Sequence, residues 1–332
     1  MKDKPLVSIV TPCLEPGDRL ARCLDSVAAQ TYPAVEHIVV DGGSTDGTVE
    51  LLRSRGVRYV SEPDNGQTDA LNKGFALATG DWLGWLNADD VLTPHAIELV
   101  IDAVRAAPEA GWAYGDCTMR LGDTVHQWTP PRELTVRMFE RGNPIPQPGA
   151  LVARWALERV GPLDEELHLA MDYDLWLRLF DAGVPYVSVP ETLSVFELHE
   201  ASKSVGMPGS EFLFEESISL LERGWLRAAA LTLGRAAAGA ARQDSGATDR
   251  DRLDTEIRGM LARATTRNGE LDAGLVRAAA YAQAAENGLF GRPRSLSYLL
   301  RREPWTAAET RRGLAAVVVR SLFGRLRKAL RA

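Results

Sequence analysis

Residues 81–90, Asp81-Trp82-Leu83-Gly84-Trp85-Leu86-Asn87-Ala88-Asp89-Asp90, constrain this chain more than any other stretch. Trp82, Leu83, Trp85 and Leu86 suit a strand and are too apolar to face water on either side, which predicts a buried strand. The run then ends abruptly in an amide and two carboxylates. Thr93-Pro94 follows, an N-cap residue with a first-turn proline, and predicts that a helix opens there. In an open α/β sheet, ligands gather outside the carboxyl ends of the strands. Asn87, Asp89 and Asp90 are therefore expected at a ligand crevice. Hard oxygen ligands of this kind suit a divalent cation such as Mg²⁺ or Mn²⁺, which would in turn hold a phosphate. A polar turn between strand and helix explains the same residues taken alone, so the rest of the chain has to decide.

The chain before this run alternates. Residues 6–11 read as a first strand, followed by a loop punctuated by Pro12 and Pro16-Gly17. Asp18 starts a helix with Leu20, Leu24, Val27 and Ala28 on its apolar face. Residues 35–40 are a second strand ended by Asp41, then comes a glycine-rich turn over 42–47 and a helix through Leu51 and Leu52. Residues 57–60 read as a third strand, and residues 68–78 as a helix carrying Asn72, Lys73 and Gly74. Strand and helix in alternation predict parallel βαβ units with right-handed crossovers. Asp41 thereby occupies the same kind of position as Asp89, where a carboxylate can accept from a base NH or a ribose hydroxyl. It is equally a residue type that forms turns. The glycine-rich turn lacks both the G-x-G-x-x-G and the G-K-[ST] patterns, which argues against a dinucleotide fold and a P-loop. Lys73 has the reach to touch a phosphate, though a solvated surface lysine is the commoner arrangement.

Beyond the central run, residues 97–106 form an amphipathic helix pattern, and Trp112-Ala113-Tyr114-Gly115-Asp116 ends another short strand in an acid. Residues 120–150 are irregular and rich in proline, the kind of stretch that shapes a substrate pocket. Met171-Asp172-Tyr173-Asp174 reads as a helix start. Carboxylates there are favoured by the helix dipole, which makes them simple caps; the functional reading is a general base, which needs a positioned carboxylate within hydrogen-bond reach of an acceptor hydroxyl. Arg178 is expected to pair with a neighbouring acid. Residues 186–189 and 192–196 read as two short strands, and His199 stands in the polar loop behind them as a candidate extra metal ligand.

Composition changes after about residue 210, where Ala, Leu and Arg dominate and no strand signal remains. The expected organisation is a domain over residues 1–205 and a helical region over 206–332. The last stretch, 311–332, carries seven basic residues and no acid, with Leu314, Val318, Leu322, Leu326 and Leu330 recurring every fourth position. A basic amphipathic helix suits an anionic membrane surface, and suits equally a helix packed on the domain with its arginines solvated. The net charge of -7 argues against a nucleic-acid partner. Three cysteines without metal-type spacing point to a reducing compartment. With no signal peptide pattern and no apolar run of about 18 residues, a cytoplasmic protein is expected, with peripheral attachment to the inner face of the membrane left open.

Four segments together resemble glycosyltransferase family 2: Val7-Ser8-Ile9-Val10-Thr11-Pro12, then residues 39–48 around Asp41-Gly42-Gly43-Ser44, then residues 64–74 from Asp64-Asn65-Gly66 to Asn72-Lys73-Gly74, then Leu86-Asn87-Ala88-Asp89-Asp90. The resemblance covers roughly the first 205 residues and implies a GT-A fold, a Rossmann-like α/β sandwich that binds a nucleoside-diphosphate sugar, with UDP the favoured nucleotide. It implies that Thr11, Pro12, Glu15 and Asp41 line the nucleoside pocket and that Lys73, Asn87 and Ala88 also face the donor. It places Asp89 and His199 on a Mn²⁺ or Mg²⁺ ion, and Asp172 as the base that deprotonates a hydroxyl of a saccharide or lipid-linked acceptor. Transfer of a single sugar with inversion is implied, in cell-envelope or exopolysaccharide synthesis. Asn87 departs from the family's acidic pair, and Leu71 stands where several members carry Arg. Two other functions remain open: a catalytically weak nucleotide-sugar-binding scaffold, kept open by Asn87, and a sugar nucleotidyltransferase, disfavoured because no glycine-rich loop with Arg follows the first strand.

Overall fold

The computed structural model describes residues 4–200, 202–207, 209–243, 250–268, 276, 279 and 280. They fall into two compact units, one of Met1–Phe139 with Asn143–Val205, the other of the described residues of Gly206–Ala332 with Glu140–Gly142.

The first unit is built on a mixed sheet. β1 (Val7–Cys13), α1 (Arg19–Ala28), β2 (Val35–Asp41), α2 (Thr48–Arg55), β3 (Arg58–Ser61), α3 (Gln67–Leu77) and β4 (Trp82–Trp85) alternate as the pattern requires. β2 and β4 flank β1, β3 lies outside β2, and all four run parallel. Their carboxyl ends lie along one edge. Cys13 is level with Asp41, and Leu86 N donates to Val10 O at 2.9 Å just before the chains part. β5 (Val91–Leu92), α4 (Ala96–Ala106), β6 (Trp112–Leu121), β7 (Thr124–Trp128), α5 (Val136–Phe139), β8 (Leu151–Ala153), α6 (Arg154–Val160), α7 (Met171–Asp181), β9 (Tyr186–Leu198) and α8 (Lys203–Gly206) complete the order. Across the sheet the strands run β3-β2-β1-β4-β8-β6-β9-β5, with β7 paired to β6.

Three expectations need correcting. No helix opens at Thr93-Pro94: α4 begins at Ala96 with His95 at its N-cap. Val91 and Leu92 instead pair antiparallel with Val195 and Ser194, and the Thr93 hydroxyl donates to Thr192 O at 2.9 Å. An available partner strand outweighs a local capping signal. Next, residues 186–189 and 192–196 are one strand. Val189 sits opposite Gly115 and Thr192 opposite Asp116, so Pro190 and Glu191 bulge out of a continuous ladder. Finally, β6 does not stop at Asp116. It runs to Leu121, and Gly122 at φ 55° turns it into the β7 hairpin.

The core is aromatic. Trp176 of α7 lies between Trp85 of β4 (5.9 Å between centroids, planes 12° apart) and Trp112 of β6 (5.7 Å, 8°). Phe75 meets Trp85 edge-on, while Tyr114 and Tyr186 pack against Trp112. Trp112 and Trp176 are wholly buried. α3 lies close to the sheet through Gly74, where a Cβ would stand 2.3 Å from Val10 Cγ1. Asn72 faces the other way: it accepts from Leu163 N at 3.0 Å and donates to Leu163 O at 2.9 Å, clasping the loop before α7 as a strand would.

The second unit is helical in its described residues. α9 (Gly209–Glu222), α10 (Leu226–Gln243) and α11 (Arg250–Asn268) pack on one another. α10 buries Ala229, Ala230, Leu233, Ala236 and Ala237, and α11 buries Leu253, Ile257, Met260 and Ala264 at helical spacing. The Arg263 guanidinium sits 3.8 Å over the Phe214 ring. Arg235 donates to the carbonyls of Glu140 and Arg141. Residues 311–332, read as a basic amphipathic helix, lie outside the described residues.

Because the methyl of an alanine at 74 has no room against Val10 and Val40, Gly74→Ala is expected to destabilise the protein by about 1–3 kcal/mol. Urea denaturation measures it, and an unshifted midpoint would show that α3 is free to lift off the sheet.

Candidate active site

Two loops meet above the ends of β1 and β2, and their contacts explain the residues found there. Asp41 is fully buried. Its carboxylate accepts from Ser44 N at 3.1 Å, from the Ser44 hydroxyl and from Ser61 Oγ at 2.6 Å. Glu15 takes φ 48°, the one non-glycine in the left-handed region among the described residues. There its carboxylate accepts from Thr45 N at 2.9 Å and Thr45 Oγ1 at 3.0 Å, and its own N–H donates to Ser44 Oγ at 2.8 Å. Strain of this kind persists only where surrounding bonds over-determine it. Gly17 N donates to Asp46 Oδ2 at 3.0 Å and completes the stitching. Its bonds to Thr48 and Gly17 hold the Asp46 carboxyl below the usual range. Thr11 is buried, with its hydroxyl 2.9 Å from His37 Nε2, and Pro12 is buried beside it. Leu14 stands out from this loop, 62% exposed. Asp64 comes close from the β3–α3 turn, its Oδ2 only 2.8 Å from where a side chain on Gly42 would begin.

At the end of β4 the polar run divides into open and closed residues. Asp89 and His199 are part-exposed, with Asp89 Oδ2 3.0 Å from His199 Nε2. Ser202 Oγ accepts from His199 N at 3.0 Å and fixes the loop that carries it. Asn87 accepts from Gln67 Nε2 at 2.8 Å and donates to Asp90 Oδ2 at 3.1 Å. Ala88 packs on the apolar cluster of Cys13, Leu20, Leu24, Val39 and Leu52, which brings this segment against the ends of β1 and β2. Asp90, expected at the crevice, is instead completely buried. It accepts from Glu197 N at 3.1 Å and joins β9 to the strand end. Burial, helped by the charge of Asp89, pushes its carboxyl well above the usual range.

The two acids in the first turn of α7 differ in exposure. Asp174 is buried against Arg178 at 2.7 Å, the pairing expected for that arginine, and Arg178 also donates to Val160 O and Gly161 O at 2.8 Å. Asp172 is part-exposed. Its Oδ1 accepts from Tyr173 N at 2.8 Å and its Oδ2 from Asn143 Nδ2 at 2.7 Å. Trp176 lies one turn further along the same helix face and stacks on Trp85, two residues before Asn87. Lys73 lies elsewhere, 3.4 Å from both Glu62 Oε1 and Asp69 Oδ2 beside the β3–α3 turn.

These features have known counterparts. The profile of glycosyl transferase family 2 matches residues 8–154. A PGL/p-HBAD biosynthesis glycosyltransferase of Mycobacterium tuberculosis is 33% identical over 183 residues, 53% of this chain and 70% of that protein. The chain belongs to glycosyl transferase family 2. It is a glycosyltransferase. The O-antigen biosynthesis protein RfbC of Myxococcus xanthus is 32% identical over 206 residues, 57% of this chain and 16% of that protein. Among solved structures, residues 1–349 of S. aureus TarS in complex with UDP-GlcNAc superpose with a TM-score of 0.60 at 15% identity, covering 85% of this chain and 89% of that one. The fold is the GT-A type expected from the sequence.

The donor set of this glycosyltransferase at the end of β4 is one carboxylate and one imidazole. No group of three or more His, Cys, Asp or Glu side chains among the described residues forms a closed metal cage. Asp89 with His199 fits a cation that takes its remaining ligands from phosphate oxygens and water, a habit of small divalent ions at phosphate sites. Sequence reasoning missed Gln67 and Asn143. Gln67 was legible in principle, directly behind Asp64-Asn65-Gly66 at the start of α3. Asn143 left no local signal inside the proline-rich stretch.

His37, beneath Thr11, carries a measurable consequence. Burial lowers its pKa from 6.5 to about 4. Between those values the unfolded chain binds a proton that the folded chain refuses, so stability falls as the pH drops through the window, by at most about 3 kcal/mol. His37→Gln is expected to flatten the loss seen in urea melts between pH 6.5 and 4.5. A variant as acid-sensitive as the native protein would place the effect elsewhere.

Proposed function

We propose that this glycosyltransferase moves one sugar from a nucleoside-diphosphate sugar, with UDP the favoured nucleotide, to a hydroxyl of a saccharide or lipid-linked acceptor with inversion. Asp172 accepts the proton of the acceptor hydroxyl. That oxygen bonds to the anomeric carbon on the face opposite the diphosphate as the sugar–phosphate bond breaks, so a single displacement inverts the configuration and no covalent nucleophile is needed. The observation that supports this most is the Trp85–Trp176 stack. It fastens the helix face bearing Asp172 to the strand whose end bears Asn87 and Asp89.

The donor lies along the parallel-strand edge. Thr11 and Pro12 form the buried floor below the nucleoside, Glu15 holds the loop over it, and Asp41 receives a base NH once the base displaces the Ser44 hydroxyl. Asn87 and Ala88 flank the diphosphate, and Lys73 reaches it by leaving its weak pairs with Glu62 and Asp69. A Mn²⁺ or Mg²⁺ ion held by Asp89, His199 and the diphosphate would offset charge on the leaving group. The biosynthetic roles in the names of the M. tuberculosis and M. xanthus relatives support a place in cell-envelope glycan assembly. No helix among the described residues is long and apolar enough to cross a membrane. The basic composition of residues 311–332 supports peripheral contact with an anionic inner-face surface. Sedimentation of the full chain with anionic but not neutral vesicles would bear that out, and equal sedimentation with both would overturn it.

The deciding experiment is turnover and binding across UDP-, dTDP- and GDP-sugars, with and without Mn²⁺ or Mg²⁺. Metal-dependent turnover of a UDP-sugar is expected, lost in Asp89→Ala. Asp172→Asn is expected to lower transfer by at least about 100-fold with donor binding retained. Donor binding with no transfer to any acceptor would favour the scaffold, and no donor binding would overturn the reading.

A further inference from the structure

We infer that Asn143 is the positioning residue for Asp172, and that the proline-rich segment over 143–148 is a stiff strap built to hold it there. The inference rests on the reading of Asp172 as the base.

A carboxylate base works only if the accepting lone pair points at the hydroxyl, and small misplacements are expensive. Asp172 accepts from Tyr173 N on Oδ1 and from Asn143 Nδ2 on Oδ2. Two donors on opposite oxygens stop rotation of the carboxyl plane and fix the directions of its lone pairs. The Asn143 amide is itself determined. Its Oδ1 accepts from Ile145 N at 3.1 Å, so the amide cannot be turned over, and its NH₂ must face Asp172. Ile145 is wholly buried and anchors that bond.

The strap continues to the core. Pro144 disfavours helical backbone at Asn143, and Pro146 and Pro148 stiffen the rest of the segment. The buried Gln147 side chain donates to Trp85 O at 2.8 Å, and Pro148 O accepts from Ser194 Oγ at 2.7 Å. One end of a rigid segment thus grips Asp172 and the other grips the strand leading to Asn87 and Asp89. The segment shapes the site by holding a carboxylate, a more specific task than lining a pocket.

The test is steady-state transfer with the purified full chain, alongside calorimetric donor binding and thermal melting. Asn143→Ala is expected to lower kcat by about 10- to 100-fold with donor KM, donor affinity and melting temperature unchanged. Asn143→Asp is expected to lower kcat further, because two carboxylates this close cannot both stay ionised. A split of this kind, kcat falling and KM constant, is not produced by mere loosening of the fold. Native kcat in Asn143→Ala, or a parallel fall in donor affinity and melting temperature, would overturn the inference. Asp172→Asn in the same assay separates the two levels. If it transfers normally, the base assignment fails whatever Asn143 does. If it is inactive while Asn143→Ala is normal, only the strap fails.

Discussion

Everything at this site depends on three stacked indoles. Trp176 lies nearly parallel between Trp85 and Trp112, and through it α7, β4 and β6 become one body. The arrangement leaves the Trp176 indole N–H buried with no hydrogen-bond partner among the described residues. Such an orphan costs about 1–3 kcal/mol. Burying an indole removes about 150–250 Å² of surface from water, worth about 4–6 kcal/mol, and aromatic contact on both faces adds to that. The apolar gain exceeds the penalty, so the stack is stable despite its unsatisfied donor. The functional result is rigidity: the first turn of α7 cannot drift relative to the end of β4.

Around that frame the acids fall into two groups, which look alike in the sequence. Asp41, Asp90 and Asp174 are buried and engaged by Ser44 and Ser61, by Glu197 N and Asn87, and by Arg178. They shape loops and join elements. Asp89 and Asp172 stay part-exposed. One closed acid positions an open one, since Asp90 ties the 87–90 turn to β9, which in turn delivers His199 to Asp89.

Features that depend on near neighbours were legible in the sequence. The four parallel strands and their helices are dictated by apolar periodicity and glycine-proline punctuation, and the acids expected at strand ends do stand at the carboxyl ends of β2 and β4. Features that depend on partners far along the chain were not legible. Val91 and Leu92 became a strand because β9 arrives about a hundred residues later. The bulge at Pro190-Glu191 exists only relative to Gly115 and Asp116. Asn143 meets an acid 29 residues away, and nothing in its immediate surroundings distinguishes it from an ordinary loop asparagine. Asp90 was misplaced for a related reason, since adjacency to Asp89 says nothing about which way each side chain turns.

The same geometry gives a physical reason for the amide at position 87. Asn87 uses both sides of its side chain, accepting from Gln67 and donating to the buried Asp90. An aspartate there could still accept from Gln67, but it would present an oxygen where Asp90 needs a donor. It would also bring another negative charge to a carboxyl already pushed upward by burial and by Asp89. The departure from the family's acidic pair is therefore tied to a local network, and it leaves Asp89 as the one open carboxylate of the run. A site with a single anion there repels a diphosphate less than one with two. Beside it stands His199, whose imidazole is held 3.0 Å from Asp89 by the Ser202 loop. The loop after β9 is fastened to its own strand end by Ser202 and, through Glu197 N, to the end of β4 by Asp90, so the amide at 87 and the imidazole at 199 are set by one connected network.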